Sequence, residues 1–244
     1  MKQIALIKTG CTIEQIKLAH GDFENWFAAG LGISGLLQID VFNHQPLPAP
    51  EKLAGIVITG SPAMVSDRLD WSERTAEWLR RAVKTDIPLL GVCYGHQLLA
   101  HALGGRAGPN PRGRQIGTVR AQRIDHLKHD PLLGHLPGSF QAQTSHSEVV
   151  LEIPPGAVRL ATSPLDSNFA IRFAENVWGV QFHPEFSAEV VSDYIRYRAD
   201  VLRKEGMDPE QLLANTTGAE EAASVLRKFT DLVSPNISPR RTNK

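Results

Sequence analysis

The sequence predicts a doubly wound α/β fold: a mostly parallel sheet with helices on both faces, plus an antiparallel extension. Three observations carry this. Short apolar runs alternate with amphipathic stretches through the first half of the chain. Glycine follows several of those runs, as expected where a strand turns sharply into a loop or helix. The second half changes to short strand-like segments spaced by turn residues. Strand–helix–strand alternation implies parallel strands covered on both faces.

Taken in order, residues 4–7 (Ile-Ala-Leu-Ile) read as a buried first strand. Residues 14–29 read as one helix closed by Gly30 and Gly32. A second strand is expected over 37–42, followed by a Pro-rich loop over 45–50. Residues 56–59 are a β-branched third strand ending at Gly60-Ser61-Pro62. Residues 70–84 carry Trp71, Ala76, Leu79 and Val83 at helical spacing, with Asp70 or Ser72 as N-cap. A fourth strand over 88–92 runs into a helix over 94–103, stopped by Gly104-Gly105.

Beyond that point, 116–124, 149–153, 158–162, 169–173 and 177–182 read as strands added, largely antiparallel, to the same sheet. A helix over 188–204 follows, and 209–233 holds one or two more around Gly218. The last ten residues, with two prolines and Arg240-Arg241, read as a frayed tail. The expectation is a flavodoxin-like domain over residues 1–205, with 206–244 its C-terminal helical extension and tail.

With 244 residues, 42% of them hydrophobic and 21% charged, the chain is long enough to bury a core without staples. Lys and Arg number 26 and so do Asp and Glu, which leaves no electrostatic footprint for nucleic acid or an anionic membrane. The N-terminal apolar run is too short for a signal peptide, and no run approaches the ~20 residues of a membrane helix. Two cysteines, Cys11 and Cys93, fit a reducing compartment, so the expected location is the cytoplasm.

The sharpest local signal is Leu90-Gly91-Val92-Cys93-Tyr94-Gly95-His96-Gln97. A strand entering Gly-x-Cys-x-Gly and then a helix is the thiol form of a nucleophile elbow. The strained turn demands small residues two before and two after, and Gly91 and Gly95 supply them. The helix N-terminus behind Cys93 favours thiolate, and the Tyr94 amide points where an oxyanion would develop. A thiol nucleophile needs a base, and the base an orienting partner. Val180-Gln181-Phe182-His183-Pro184-Glu185 offers both at a strand end, although a His-x-Glu alone would as readily be a solvated surface pair. The Gly60 loop, at a third strand end, would add a second oxyanion donor; by itself it is only a turn.

These fragments together resemble the class I (triad) glutamine amidotransferases, especially the glutaminase domain of GMP synthases and its free-standing relatives. The similarity runs from about residue 4 to residue 187 and rests on G-S-P at 60–62, G-V-C-Y-G-H-Q at 91–97 and G-V-Q-F-H-P-E at 179–185. The resemblance implies Cys93 as nucleophile, His183 as general base and acid, and Glu185 as its orienter. It implies an oxyanion hole from the backbone of Gly60 and Tyr94, and substrate contacts from Gln97, Ser145 and His146. Glu148 stands where the family often has Asp, and Gln115 where a carboxylate is common. No phosphate loop of the G-x-x-x-x-G-K-[ST] type occurs.

Three functions follow. The first is hydrolysis of the glutamine side-chain amide through a cysteinyl thioester, with ammonia passing to an acceptor that includes a possible synthetase subunit. The second keeps the triad but cuts a γ-glutamyl peptide. The third is a silent binding protein, against which the intact Cys93, His183 and Glu185 argue. No cofactor and no metal are expected: His126, His129 and His135 lie near Asp125 and Asp130 in a loop without cysteine. Cys11 is read as a small packed residue, and Trp71 and Trp78 as core or interface.

Overall fold

Parallel strands β1 (Ile4–Lys8), β2 (Leu37–Asp40), β3 (Gly55–Ile58), β4 (Leu89–Val92) and β11 (Val177–Val180) form one half of a nine-stranded sheet. Successive side chains of a strand face opposite sides. Ile4, Leu6, Val57 and Leu90 therefore enter one core, and Ala5, Ile7, Ile56 and Leu89 the other. Burial on both faces explains why these strands read as continuous apolar runs. The first core is covered by α1 (Glu14–His20), α2 (Phe23–Leu31), α5 (Ala188–Tyr197) and α8 (Glu220–Ile237). The second lies under α3 (Asp70–Ala82) and α4 (Tyr94–Ala102). The computed structural model describes residues 2–124 and 128–237.

The antiparallel half comprises β6 (Gln115–Arg123), β7 (Ser139–His146), β9 (Val158–Thr162) and β10 (Ala170–Ala174). The full order is β2-β1-β3-β4-β11-β10-β9-β6-β7, so β11, parallel to β4 and antiparallel to β10, is the seam between the halves. The strand expected over 149–153 is not in this sheet. It is β8 (Glu148–Glu152), which pairs with β5 (Arg106–Pro109) in a separate two-stranded ribbon. Neither β5 nor β7 is predicted from the sequence. The segment of β7, Ser-Phe-Gln-Ala-Gln-Thr-Ser-His, is mostly polar, and its pairing with β6 from Gln115↔His146 to Gln122↔Ser139 makes it a strand.

Two expected helices are each broken in two. The 14–29 helix stops at Gly21 (φ 82°), and Asp22 begins α2 with a reciprocal capping box to Asn25. The Asp22 carboxylate is also pinned by Lys8 Nζ at 3.0 Å and the Thr12 amide at 2.9 Å, so the helix cannot run through it. The 188–204 helix divides at Arg198 into α5, capped by Ser187, and α6 (Ala199–Lys204). Neither Asp70 nor Ser72 caps α3: Leu69 holds that position, and Ser72 is buried with its hydroxyl accepting from the Tyr94 phenol.

Gly218 separates α7 (Pro209–Ala214) from α8, as expected. Helix α8 extends through Ile237, so residues 235–237 of the expected tail are helical; Arg240 and Arg241 lie outside the described residues. It docks through buried Val225, Leu226, Phe229 and Val233, while Thr230 Oγ1 donates to the Leu31 carbonyl at 2.9 Å. Each such buried side chain contributes about 1.5–3 kcal/mol, which holds the extension on the domain. No helix among the described residues is long and apolar enough to cross a membrane.

Candidate active site

In a doubly wound sheet, loops at the carboxyl ends of the parallel strands converge on one rim. There β4 passes into α4 through Cys93, whose φ of 49° and ψ of −101° lie outside the usual regions for an L-residue. Backbone bonds hold the turn: the Cys93 amide donates to the Val180 carbonyl at 2.8 Å and the Gly95 amide to the Thr59 carbonyl at 3.2 Å. A Cβ on Gly91 would lie 2.5 Å from the Gly95 carbonyl oxygen, and one on Gly95 would lie 2.7 Å from that of Ile58. Both glycines are therefore obligatory. The Tyr94 amide, first in α4, has no acceptor among the described residues. Its ring turns away, stacking on Trp71 at 5.5 Å.

The end of β11 brings His183 to the same rim. Its Nδ1 meets Glu185 Oε1 at 2.7 Å, and its backbone amide donates to the Gln143 carbonyl at 2.8 Å. The Phe186 ring lies flat on the imidazole, with centroids 3.9 Å apart and 6° between planes, and Tyr194 stacks behind Phe186 at 5.2 Å. Burial alone would push the His183 pKa down. The Glu185 carboxylate and the Cys93 sulfur, through charge and hydrogen bonding, outweigh it and raise the value to about 10. The arrangement thus favours an imidazolium beside the thiol, held in one orientation by the carboxylate. A Cβ on Gly60 would lie 2.9 Å from His183 Cε1 and 3.7 Å from Cys93 Cβ, so a side chain there would crowd both. The Gly60 loop is tied to the end of β1, where Thr9 Oγ1 donates to the Gly60 carbonyl at 2.8 Å.

Two cavities meet at Cys93. One is walled by Cys11, Thr12, Phe23, His183, Phe186 and Tyr194. The other is walled by Met64, Tyr94, Gln97, Arg114, His146 and Glu148. Ser61, Pro62, Ser145 and Arg198 border both.

With this geometry in view, comparison with known proteins is informative. The family model for glutamine amidotransferase class-I matches residues 22–197. The chain belongs to that family. The glutamine-hydrolyzing GMP synthase of Haloarcula marismortui is a protein of separate subunits, one of which is 36% identical over 170 residues, covering 68% of this chain and 82% of the relative. Gamma-glutamyl peptidase 3 of Arabidopsis thaliana is 28% identical over 203 residues, covering 80% and 81%. The glutamine-hydrolyzing GMP synthase of Aeropyrum pernix is 34% identical over 149 residues; the chain covers only 27% of that relative's length, and 23% of the one from Thermomicrobium roseum. A crystal structure of a glutamine amidotransferase from Methylobacillus flagellatus superposes with a TM-score of 0.73 at 23% identity, covering 100% of this chain and 99% of the other, and shows the same fold.

In this class-I amidotransferase, the other residues singled out in the sequence fall in several places. Gln97 borders the second cavity, but its Nε2 donates to the Glu148 carbonyl at 2.8 Å and to Gln181 Oε1 at 3.0 Å. Only its carbonyl oxygen remains for a ligand. His146 Nδ1 donates to the Glu148 carbonyl at 3.0 Å, and burial drives its pKa down to about 3, so the ring is neutral. The Glu148 carboxylate accepts from the Val65 amide at 3.0 Å, the Ser66 amide at 3.4 Å and the Ser66 hydroxyl. Its extra methylene relative to Asp reaches this 3₁₀ turn, Val65–Asp67. Gln115 is buried and accepts from Ser163 Oγ at 2.8 Å.

Cys11 is a correction: it is half-buried in the wall of the first cavity rather than packed in the core. Trp78 is core, and Trp71 braces Tyr94. His129 is exposed, His135 meets Ser224 Oγ at 2.8 Å, and Asp130 caps a turn through the Leu132 and Leu133 amides; Asp125 and His126 lie outside the described residues. No group of three metal-ligating side chains occurs among the described residues. Sequence reasoning missed Phe186, Tyr194 and Arg198. Phe186, one residue past Glu185, had a positional signal; the other two are brought in by the turn of α5.

Proposed function

We propose that this chain hydrolyses the side-chain amide of glutamine through a Cys93 thioester. The observation that carries the reading is the strained Cys93 at the start of α4 with the His183–Glu185 pair, 2.7 Å apart, beside it. In this mechanism the thiolate attacks the γ-carbonyl carbon, and the amides of Gly60 and Tyr94 receive the developing oxyanion. His183 gives its proton to the departing ammonia, then takes one from the water that resolves the thioester to glutamate. Glu185 keeps the imidazole in one tautomer and orientation throughout. Ser145, His146 and the carbonyl oxygen of Gln97 line the pocket for the γ-glutamyl half.

The relative from Haloarcula marismortui is by its name one subunit of a GMP synthase, which supports an ammonia acceptor in the form of a synthetase subunit, and a cytoplasmic setting. The domain reading that goes with this places catalysis in residues 1–205 and assigns 206–244 a supporting extension.

A second reading, hydrolysis of γ-glutamyl peptides, is favoured by the first cavity. It opens on the His183 side of Cys93, where a leaving amine larger than ammonia would sit. The test is ammonia release from L-glutamine and amine release from γ-glutamyl dipeptides, each with Cys93→Ala alongside. Cys93-dependent ammonia release establishes the first reading; dipeptide cleavage without it transfers the function to the second.

A further inference from the structure

Arg198 closes α5 and opens α6, one residue past the stretch that the family model matches. It borders both cavities. Among the described residues its guanidinium makes no ion pair and no hydrogen bond, and its Nε is sealed from solvent without an acceptor. The neighbouring Arg114 differs, since Glu205 holds it through two hydrogen bonds of 2.8 and 3.1 Å. A guanidinium left unpaired and largely desolvated is unfavourable unless an anion meets it, and its planar fork suits a carboxylate.

The rest of the second cavity specifies which carboxylate. Glu148 is buried there with its charge uncancelled by any cation among the described residues, and the Gln97 carbonyl oxygen takes no hydrogen bond. Both are acceptors suited to an ammonium group. The cavity therefore sets one anion and one neutral acceptor against one free guanidinium, the complement of an amino-acid head group.

We propose that Arg198 binds the α-carboxylate of the γ-glutamyl substrate, opposite an α-ammonium received by Glu148 and Gln97. This rests on the proposed amide hydrolysis and adds the residue that reads the substrate's head group. It makes Arg198 a binding residue whose contact is the same in the ground and transition states, so its loss should appear in KM.

The experiment compares Arg198→Gln and Arg198→Lys with wild type on four substrates: L-glutamine, L-glutamine α-amide, γ-glutamylglycine and γ-glutamyl methylamide. Expected for Arg198→Gln is a KM for L-glutamine raised roughly 10–100-fold with kcat within about threefold, as for one charge-assisted hydrogen-bonded pair. The α-amide, already lacking the carboxylate, should show no further loss, and Arg198→Lys should recover part of the binding. Equal losses on L-glutamine and its α-amide would overturn the proposal, as would no loss on either. A loss confined to γ-glutamylglycine, sparing L-glutamine and the methylamide, would overturn it by assigning Arg198 to the leaving group's carboxylate.

Calorimetric titration of L-glutamine into Cys93→Ala, with and without Arg198→Gln, separates this from the hydrolysis reading. Binding that needs Arg198 in a protein whose wild type turns nothing over upholds the proposal and sinks hydrolysis. Turnover indifferent to Arg198 upholds hydrolysis and sinks the proposal. Absence of both binding and turnover overturns both.

Discussion

The two cavities that meet at Cys93 are built of different chemistry. On the His183 side the walls are the rings of Phe23, Phe186 and Tyr194, and the polar atoms satisfy one another, as where Thr12 Oγ1 and the Tyr194 hydroxyl lie 2.6 Å apart. On the other side stand Glu148, Arg114 and an unpaired Arg198. A ring stacked at 3.9 Å fixes an imidazole without competing for its protons, whereas charged walls select a charged ligand. The aromatic side is thus organised around the base, and the charged side around recognition. That division makes different substitutions fail in different kinetic parameters.

The largest effect should come from the shared centre. Cys93→Ala should remove turnover on every γ-glutamyl substrate, by on the order of 10⁴-fold or more, and His183→Ala should approach it. Activity retained in Cys93→Ser at wild-type level would show that neither cavity serves this thiol. Next, Glu185→Gln should preserve the fold but lower kcat by roughly 10²–10⁴-fold, because the imidazole loses the partner that sets its tautomer. A change in KM alone would place Glu185 outside the chemistry.

Glu148→Gln should act oppositely, raising KM for L-glutamine about tenfold with little change in kcat, since one charge-assisted contact is lost. The Gln carbonyl can still accept from Val65 and Ser66, so the melting temperature should stay close to wild type. Phe186→Leu should have the smallest effect, a few-fold fall in kcat, and should leave KM for L-glutamine unmoved. A KM effect there would erase the contrast between the cavities.

The pH dependence sharpens the same contrast. The His183 pKa is raised to about 10 from an ordinary 6.5, so its stabilising pairing is fully present below pH 6.5 and is lost as pH rises through about 10. The stability advantage of wild type over His183→Gln, read by urea unfolding, should therefore be largest below pH 6.5 and decline toward pH 10. The alkaline limb of kcat should fall in the same high range, since deprotonated His183 has no proton for the leaving group. Across the substrate pocket His146, with a pKa near 3, should add no titration between pH 5 and 8.

Much of the parallel half was legible because each of its strands is buried on both faces, which forces a short uninterrupted apolar run ending where the chain must turn. Cys93, with Gly91 and Gly95 around it, was legible for a related reason: the turn tolerates nothing larger at either glycine. The antiparallel half was harder. Gln115 to Arg123 and Ser139 to His146 have one solvated face and draw their identity from each other across the register, so β7 carries no apolar signature of its own. The break at Gly21 escaped because the carboxylate of Asp22 is held by Lys8 and Thr12, residues outside the helix pattern.

What the sequence by itself determined is the fold of the parallel half, the elbow, and the presence of a His-x-Glu at a strand end. These follow from local constraints on volume, backbone angle and burial, which residues within a few positions impose on one another. Only the tertiary structure decided that Phe186 lies on His183, that Glu148 reaches the Val65–Asp67 turn, and that Arg198 faces the site unpaired. Those facts depend on where separate elements dock, and a docking distance leaves no periodicity in the chain that folds to produce it.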